Sequence, residues 1–163
     1  MGIDFGGNGS MTTFVLKLYF HGYHDLRTAE EANLELSPDI DAEAICSKFI
    51  EFFKYCQGKY GFIDWVFPDS ASTTMINSLR SAARKAGLPY RNIKGCRKNE
   101  VSDRPRTYDM LMNTGRWKVN RKCSKLRSAI REVEMGIRIT QTDRRIRISE
   151  IVTIGGTRKI IQF

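Results

Sequence analysis

Two carboxylates, each closing a short apolar run, are the residues of this chain best placed to do chemistry. Asp4 ends the run Gly2-Ile3-Asp4 and is followed at once by the glycine-rich turn Gly6-Gly7-Asn8-Gly9-Ser10. Asp69 follows the run Phe62 to Phe67 and Pro68. Acidic groups held close together repel each other unless a divalent cation sits between them. Oxygen ligands with retained water suit Mg²⁺ or Mn²⁺. Two such ions roughly 3.5–4 Å apart stabilise both the attacking and the leaving oxygen of a phosphodiester. The basic loop Lys94-Gly95-Cys96-Arg97-Lys98 would then hold a DNA backbone through Lys94, Arg97 and Lys98. An aspartate at a strand end is also often only a helix cap, and Asp69 could be one.

Positioning the pair requires a sheet. Gly2 to Asp4, the glycine turn and the β-branched and aromatic run Thr12 to Phe20 read as a hairpin. Phe14 to Leu26 continues as strand, turn, strand, with His21-Gly22 at the turn. His21 and His24 are then surface residues, since no further metal ligands are near them. Thr28 to Leu36 is polar and ambiguous, a third strand with a loop. Asp41 caps a helix whose core stripe is Ile45, Phe49, Phe52, Phe53 and Cys56, ended by Gly58 and Gly61. Phe62 to Phe67 has the continuous apolar character of a buried strand. Ser70 or Ser72 caps the next helix, with Met75, Leu79, Ala82, Ala83 and Ala86 as its apolar face. Gly87 and Pro89 stop it. Tyr90 to Ile93 reads as another strand, which makes strand–helix–strand a parallel unit. Val101 to Asn113 and Lys122 to Glu134 read as helices, Gly115 as a break and Trp117 to Val119 as a short strand. The predicted fold is an α/β sandwich, a mixed sheet of antiparallel hairpin plus parallel strands flanked by helices.

Composition narrows the partner. A length of 163 residues, 41% hydrophobic and 28% charged, suits one domain with a real core. No apolar run is long enough to span a bilayer and no signal peptide is visible, so no membrane partner is expected. Cys46, Cys56, Cys96 and Cys123 form no CxxC pair and read as reduced thiols of a cytosolic protein. The formal net charge is +9, and the bases concentrate from Arg80 to Lys125 and from Arg138 to Lys159, apart from the acidic stretch Asp25 to Glu51. That asymmetry predicts a basic face and a polyanionic partner, nucleic acid first.

Gly2-Ile3-Asp4-Phe5-Gly6-Gly7 with Ser10 and Thr12, then Phe67-Pro68-Asp69-Ser70-Ala71, then Ile93-Lys94-Gly95, resemble the nuclease domain of phage terminase large subunits. Trp117-Lys118-Val119 with Cys123, and Leu126 to Glu134, are similar to the segment that follows in that family. The resemblance covers residues 1–134 in order. It implies an RNase H-like nuclease domain over 1–134 that cuts concatemeric double-stranded DNA by a two-metal mechanism. Asp4 and Asp69 match the first and second metal-binding carboxylates, and Lys94 lies in the basic loop beside them. It also implies a bacterial host cytoplasm, a phage or prophage gene, and an ATPase motor domain, small subunit and portal as partners. No Walker A sequence is present, so these residues are not expected to translocate DNA.

Residues 135–163 depart from that pattern and are expected to form an atypical basic tail. The family's third carboxylate, an Asp-x-x-Asp before an aromatic, is missing there. Thr153-Ile154-Gly155-Gly156-Thr157 can be encoded so that another frame reads Asp-Trp-Trp-Asp, which suggests a frameshifted end. Three other readings stay open. Without the third ligand the chain could bind DNA and not cut it. It could be another RNase H-like enzyme, a junction resolvase or an integrase core. The glycine turn after Asp4 also resembles the phosphate hairpin of actin-like and Hsp70-like ATPases, although 163 residues are too few for that two-domain architecture.

Overall fold

The computed structural model describes residues 1–6, 11–22, 24–35, 42–96, 107 and 110–132. Its centre is a five-stranded mixed sheet. The strands are β1 (Gly2–Asp4), β2 (Thr12–Phe20), β3 (Asp25–Leu34), β4 (Phe67–Pro68) and β5 (Trp117–Val119), in the spatial order β4-β1-β2-β3-β5. β1, β2 and β3 pair antiparallel; β4 joins β1, and β5 joins β3, in parallel. A parallel bridge from Val66 to Ile93 extends the sheet beyond β4. An antiparallel meander with parallel strands added at both edges and helices packed on it is the predicted mixed α/β arrangement.

Alternation along β2 explains the layers. Thr12, Phe14 and Leu16 are buried on one face, where helix α1 (Ala42–Tyr60) packs Ile45, Phe49, Phe52, Phe53 and Cys56. This is the stripe predicted from the sequence. Helix α2 (Thr73–Lys85) adds Ile76, Leu79 and Ala83 to the same core. Its inner face is carried by Ile76, with Met75 only partly buried. On the other face a smaller cluster joins Leu26, Trp117 and Ile130. It covers the β3–β5 half of the sheet with residues 110–132. The indole of Trp117 donates to Thr28 Oγ1 at 3.0 Å and anchors that layer.

The strand expected after Thr28 is part of one ten-residue strand, because cross-strand pairing with β2 outweighs the low strand propensity of its polar residues. The structure corrects three local expectations. Gly58 lies inside α1, and Gly61, at φ +85°, marks its end. The apolar run Phe62 to Phe67 is not a buried strand: Phe62, Trp65 and Phe67 are exposed, and ladder pairing is confined to its last residues. Tyr90–Asn92 is a 3₁₀ turn after Pro89, and extended backbone starts only at Ile93. The expectations for the helix cap at Asp41, the first part of the 101–113 helix and the tail lie outside the described residues.

Candidate active site

Each carboxylate is delivered by a strand end. β1 is pinned between β2, where Asp4 pairs with Thr13, and β4, where Ile3 pairs with Pro68. The backbone N–H of Asp69 donates to the carbonyl of Ile3 at 2.9 Å. Asp4 and Asp69 are therefore neighbours at the carboxyl ends of two adjacent parallel strands. Across the sheet, Thr13 pairs in turn with Asn33, and its hydroxyl donates to Asn33 Oδ1 at 3.1 Å. Asp69, Asp4, Thr13 and Asn33 make one polar row over four strands. At its β3 end the row lies between Glu31 and Glu35, both of which are met by Lys125 of the 110–132 layer.

The loop after Asp4 leaves the sheet under control of a buried hydroxyl. Thr12, fully buried, accepts the N–H of Gly6 through Oγ1 at 3.0 Å. After Asp69 the chain turns into α2. Asp69 Oδ1 accepts the N–H of Ala71 at 3.0 Å, while the cap of α2 is Ser72, whose Oγ accepts the N–H of Met75. Ser72 is thus the cap of this helix, and Asp69 holds the turn that precedes it.

The electrostatics of the pair are unfavourable. Burial pushes the Asp4 carboxyl up to about 7, and the neighbouring Asp69 carboxylate pushes it in the same direction. Asp69 is 8% exposed. Two carboxyls that raise each other's cost of ionisation form a site that a cation would relieve. As a donor set, a half-buried and a buried carboxylate fit a hard divalent ion that keeps some of its water. Among the described residues no group of three acidic, histidine or cysteine side chains is placed to hold a metal.

Lys94, predicted to bind DNA, lies in the extended segment that starts at Ile93 and runs alongside β4. Its N–H donates to the Val66 carbonyl, and the N–H of Cys96 to that of Pro68. Its ammonium lies 4.1 Å from the centre of the Trp65 ring. Arg97 and Lys98 follow directly and lie outside the described residues. Gly95 is closely packed: a Cβ there would come within 3.3 Å of Ile76 and 3.4 Å of Ser70. His21 and His24 share Asp25 through their Nδ1 atoms on the exposed turn, away from the carboxylates, as surface histidines should. The four cysteines are not joined in disulfides. Among the described residues, no helix is long and apolar enough to cross a membrane.

No family model and no curated protein matches this chain. Among solved structures, it is similar to the large terminase nuclease domain from the bacteriophage SPP1, determined with bound Mn. That match has 19% sequence identity and a TM-score of 0.49, and covers 73% of this chain. The chain spans 58% of that domain's length.

Proposed function

We propose that this chain is a metal-dependent endonuclease domain of the phage terminase type, hydrolysing phosphodiesters of double-stranded DNA. The observation that carries the reading is the juxtaposition of Asp4 and Asp69 at adjacent parallel strand ends, buried enough to repel. Both would hold Mg²⁺ or Mn²⁺. When bound, such ions polarise the scissile phosphate and lower the pKa of an attacking water. The protein's own part is positioning. β1 and β4 fix the two carboxylates relative to each other, and Thr12 fixes the loop beside them. Lys94, with Arg97 and Lys98, supplies cations that would hold the DNA backbone without reading its sequence. The net charge of +9 favours such a polyanion. Within a terminase the domain would work in the bacterial cytoplasm beside an ATPase motor domain, small subunit and portal.

Cleavage of supercoiled plasmid with Mn²⁺ tests the reading. The parent chain is expected to nick it, and Asp4→Asn and Asp69→Asn to lose at least tenfold in rate, roughly the scale of an electrostatic catalytic group. Cleavage that persists in both variants would place the site elsewhere. The sequence favours a second reading, a DNA-binding domain that no longer cuts: residues 135–163 carry no Asp-x-x-Asp pattern of the kind the terminase resemblance leads one to expect. Steeply salt-dependent DNA binding without cleavage would mark it.

A further inference from the structure

The strand that delivers Asp69 also carries two large aromatic rings into solvent. Trp65 is 40% exposed and Phe67 45%. Their rings stack, with centroids 6.4 Å apart and planes 26° from parallel. The hydrogen-bond ladder to the β1 chain runs without a break from the Trp65 carbonyl to the Asp69 N–H, through Phe67 N–H to Met1 O. Side chains two residues apart in an extended strand share a face, about 6–7 Å apart. Trp65, Phe67 and Asp69 therefore form a file along one face, with the carboxylate at its end. One step of that file is comparable to the phosphate spacing of an extended single strand.

Beside Phe67 the neighbouring strand presents a glycine. Gly2 pairs with Phe67 on one side and Val15 on the other, so no side chain rises between them. A Cβ at Gly2 would come within 3.3 Å of Val15 Cγ2. Trp65 and Phe67 share the lining of one cleft with Met1 and Asp64. Lys94 holds its ammonium over the Trp65 ring. Exposed stacked rings with an amine on them are the features used to hold bases of a single strand: the rings take the base faces and the cation takes a phosphate.

We propose that Trp65 and Phe67 stack the unpaired bases of a nucleic-acid strand whose phosphodiester lies at Asp4 and Asp69, with Lys94 moving from the indole face to a phosphate of that strand. The catalytic end of this proposal rests on the nuclease reading above. Stacking is indifferent to sequence, because every base presents a π-face. It does require bases freed from pairing, so frayed ends and single-stranded flanks bind better than blunt duplex.

The test is done in EDTA, where no metal-dependent cleavage intervenes. Trp65 is one of two tryptophans, and the other, Trp117, is only 3% exposed. Single-stranded oligothymidylate is expected to quench the tryptophan emission of the parent protein. The anisotropy of labelled oligothymidylate should show roughly tenfold weaker binding for Trp65→Ala and for Phe67→Ala. Trp65→Phe should retain most of the affinity, and binding of blunt duplex should change little in all three. Absence of quenching in the parent, or unchanged oligothymidylate affinity in both alanine variants, overturns the proposal. So does self-association that buries Trp65 without DNA, which assigns the patch to a second copy. The two readings fail separately. Aromatic-dependent binding without plasmid cleavage leaves the stacking site and removes the nuclease. Asp-dependent cleavage without aromatic-dependent binding does the reverse.

Discussion

Replacing Asp4 with asparagine should make the metal-free protein more stable, although it removes a proposed metal ligand. Asparagine has the shape of the protonated carboxyl but cannot ionise. The Asp4 carboxyl is raised from 3.8 to about 7, first by burial and then by Asp69. A shift of that size corresponds to a ceiling of about 4 kcal/mol at roughly 1.4 kcal/mol per unit. Asp4 remains half-exposed, and solvent screening reduces the usable part to about 1–2 kcal/mol. The sign follows from proton counts. Between about pH 4 and pH 7 the folded state binds more protons at this site than the unfolded chain, so parent stability falls as pH rises through that window. Urea unfolding of parent and Asp4→Asn in EDTA is the assay. The variant is expected to gain about 1–2 kcal/mol at about pH 8 and almost nothing at about pH 4. Saturating Mg²⁺ should then stabilise the parent at the higher pH and not the variant. A variant equally or less stable than the parent at both pH values would refute the repulsion and, with it, the need for a counter-ion.

Other parts of the molecule give independent checks. Burial pushes the Lys17 ammonium down to about 7, so parent stability should rise as pH increases from about 7 to about 10; Lys17→Met should remove that slope in pH-dependent urea unfolding. Glu31 accepts the N–H groups of Lys125 and Leu126 at 2.9 Å from the neighbouring layer, and Glu31→Ala should cost about 1 kcal/mol and raise amide exchange in residues 124–132. Ser72→Ala should cost a similar amount, about 1 kcal/mol, by uncapping α2. Phe49 is fully buried and packs edge-to-face on Phe53, so Phe49→Ala should lose about 3–5 kcal/mol in denaturant unfolding.

The sequence was most informative where local chemistry decided the outcome. The stripe from Ile45 to Cys56 follows helical spacing and packs as such. Asp4 could be placed at a strand end because a glycine turn follows it, and Asp69 because a proline and a helix start surround it. Their pairing with each other depends on a parallel contact between residues 65 apart, which no local pattern contains. The Phe62 to Phe67 run shows the opposite error. Apolar character predicts burial, but hydrophobicity cannot distinguish a covered ring from an exposed one. The exposed Trp65 and Phe67 were therefore missed as candidate functional residues; the only signal was their placement just before Asp69. The β3 strand was obscured because its polar residues serve specific partners. Glu30 accepts from Lys59 and Tyr60, both at 2.6 Å, and Glu31 caps a helix that arrives 94 residues later.

The central claim is that Asp4 and Asp69 together hold a divalent cation. Titration of the protein with Mn²⁺, followed by the magnetic resonance of the free ion, measures this without DNA or turnover. The account expects a site whose affinity falls by about tenfold or more in Asp4→Asn and again in Asp69→Asn, with Mg²⁺ competing for it. Mn²⁺ binding that is unchanged in both variants would contradict it.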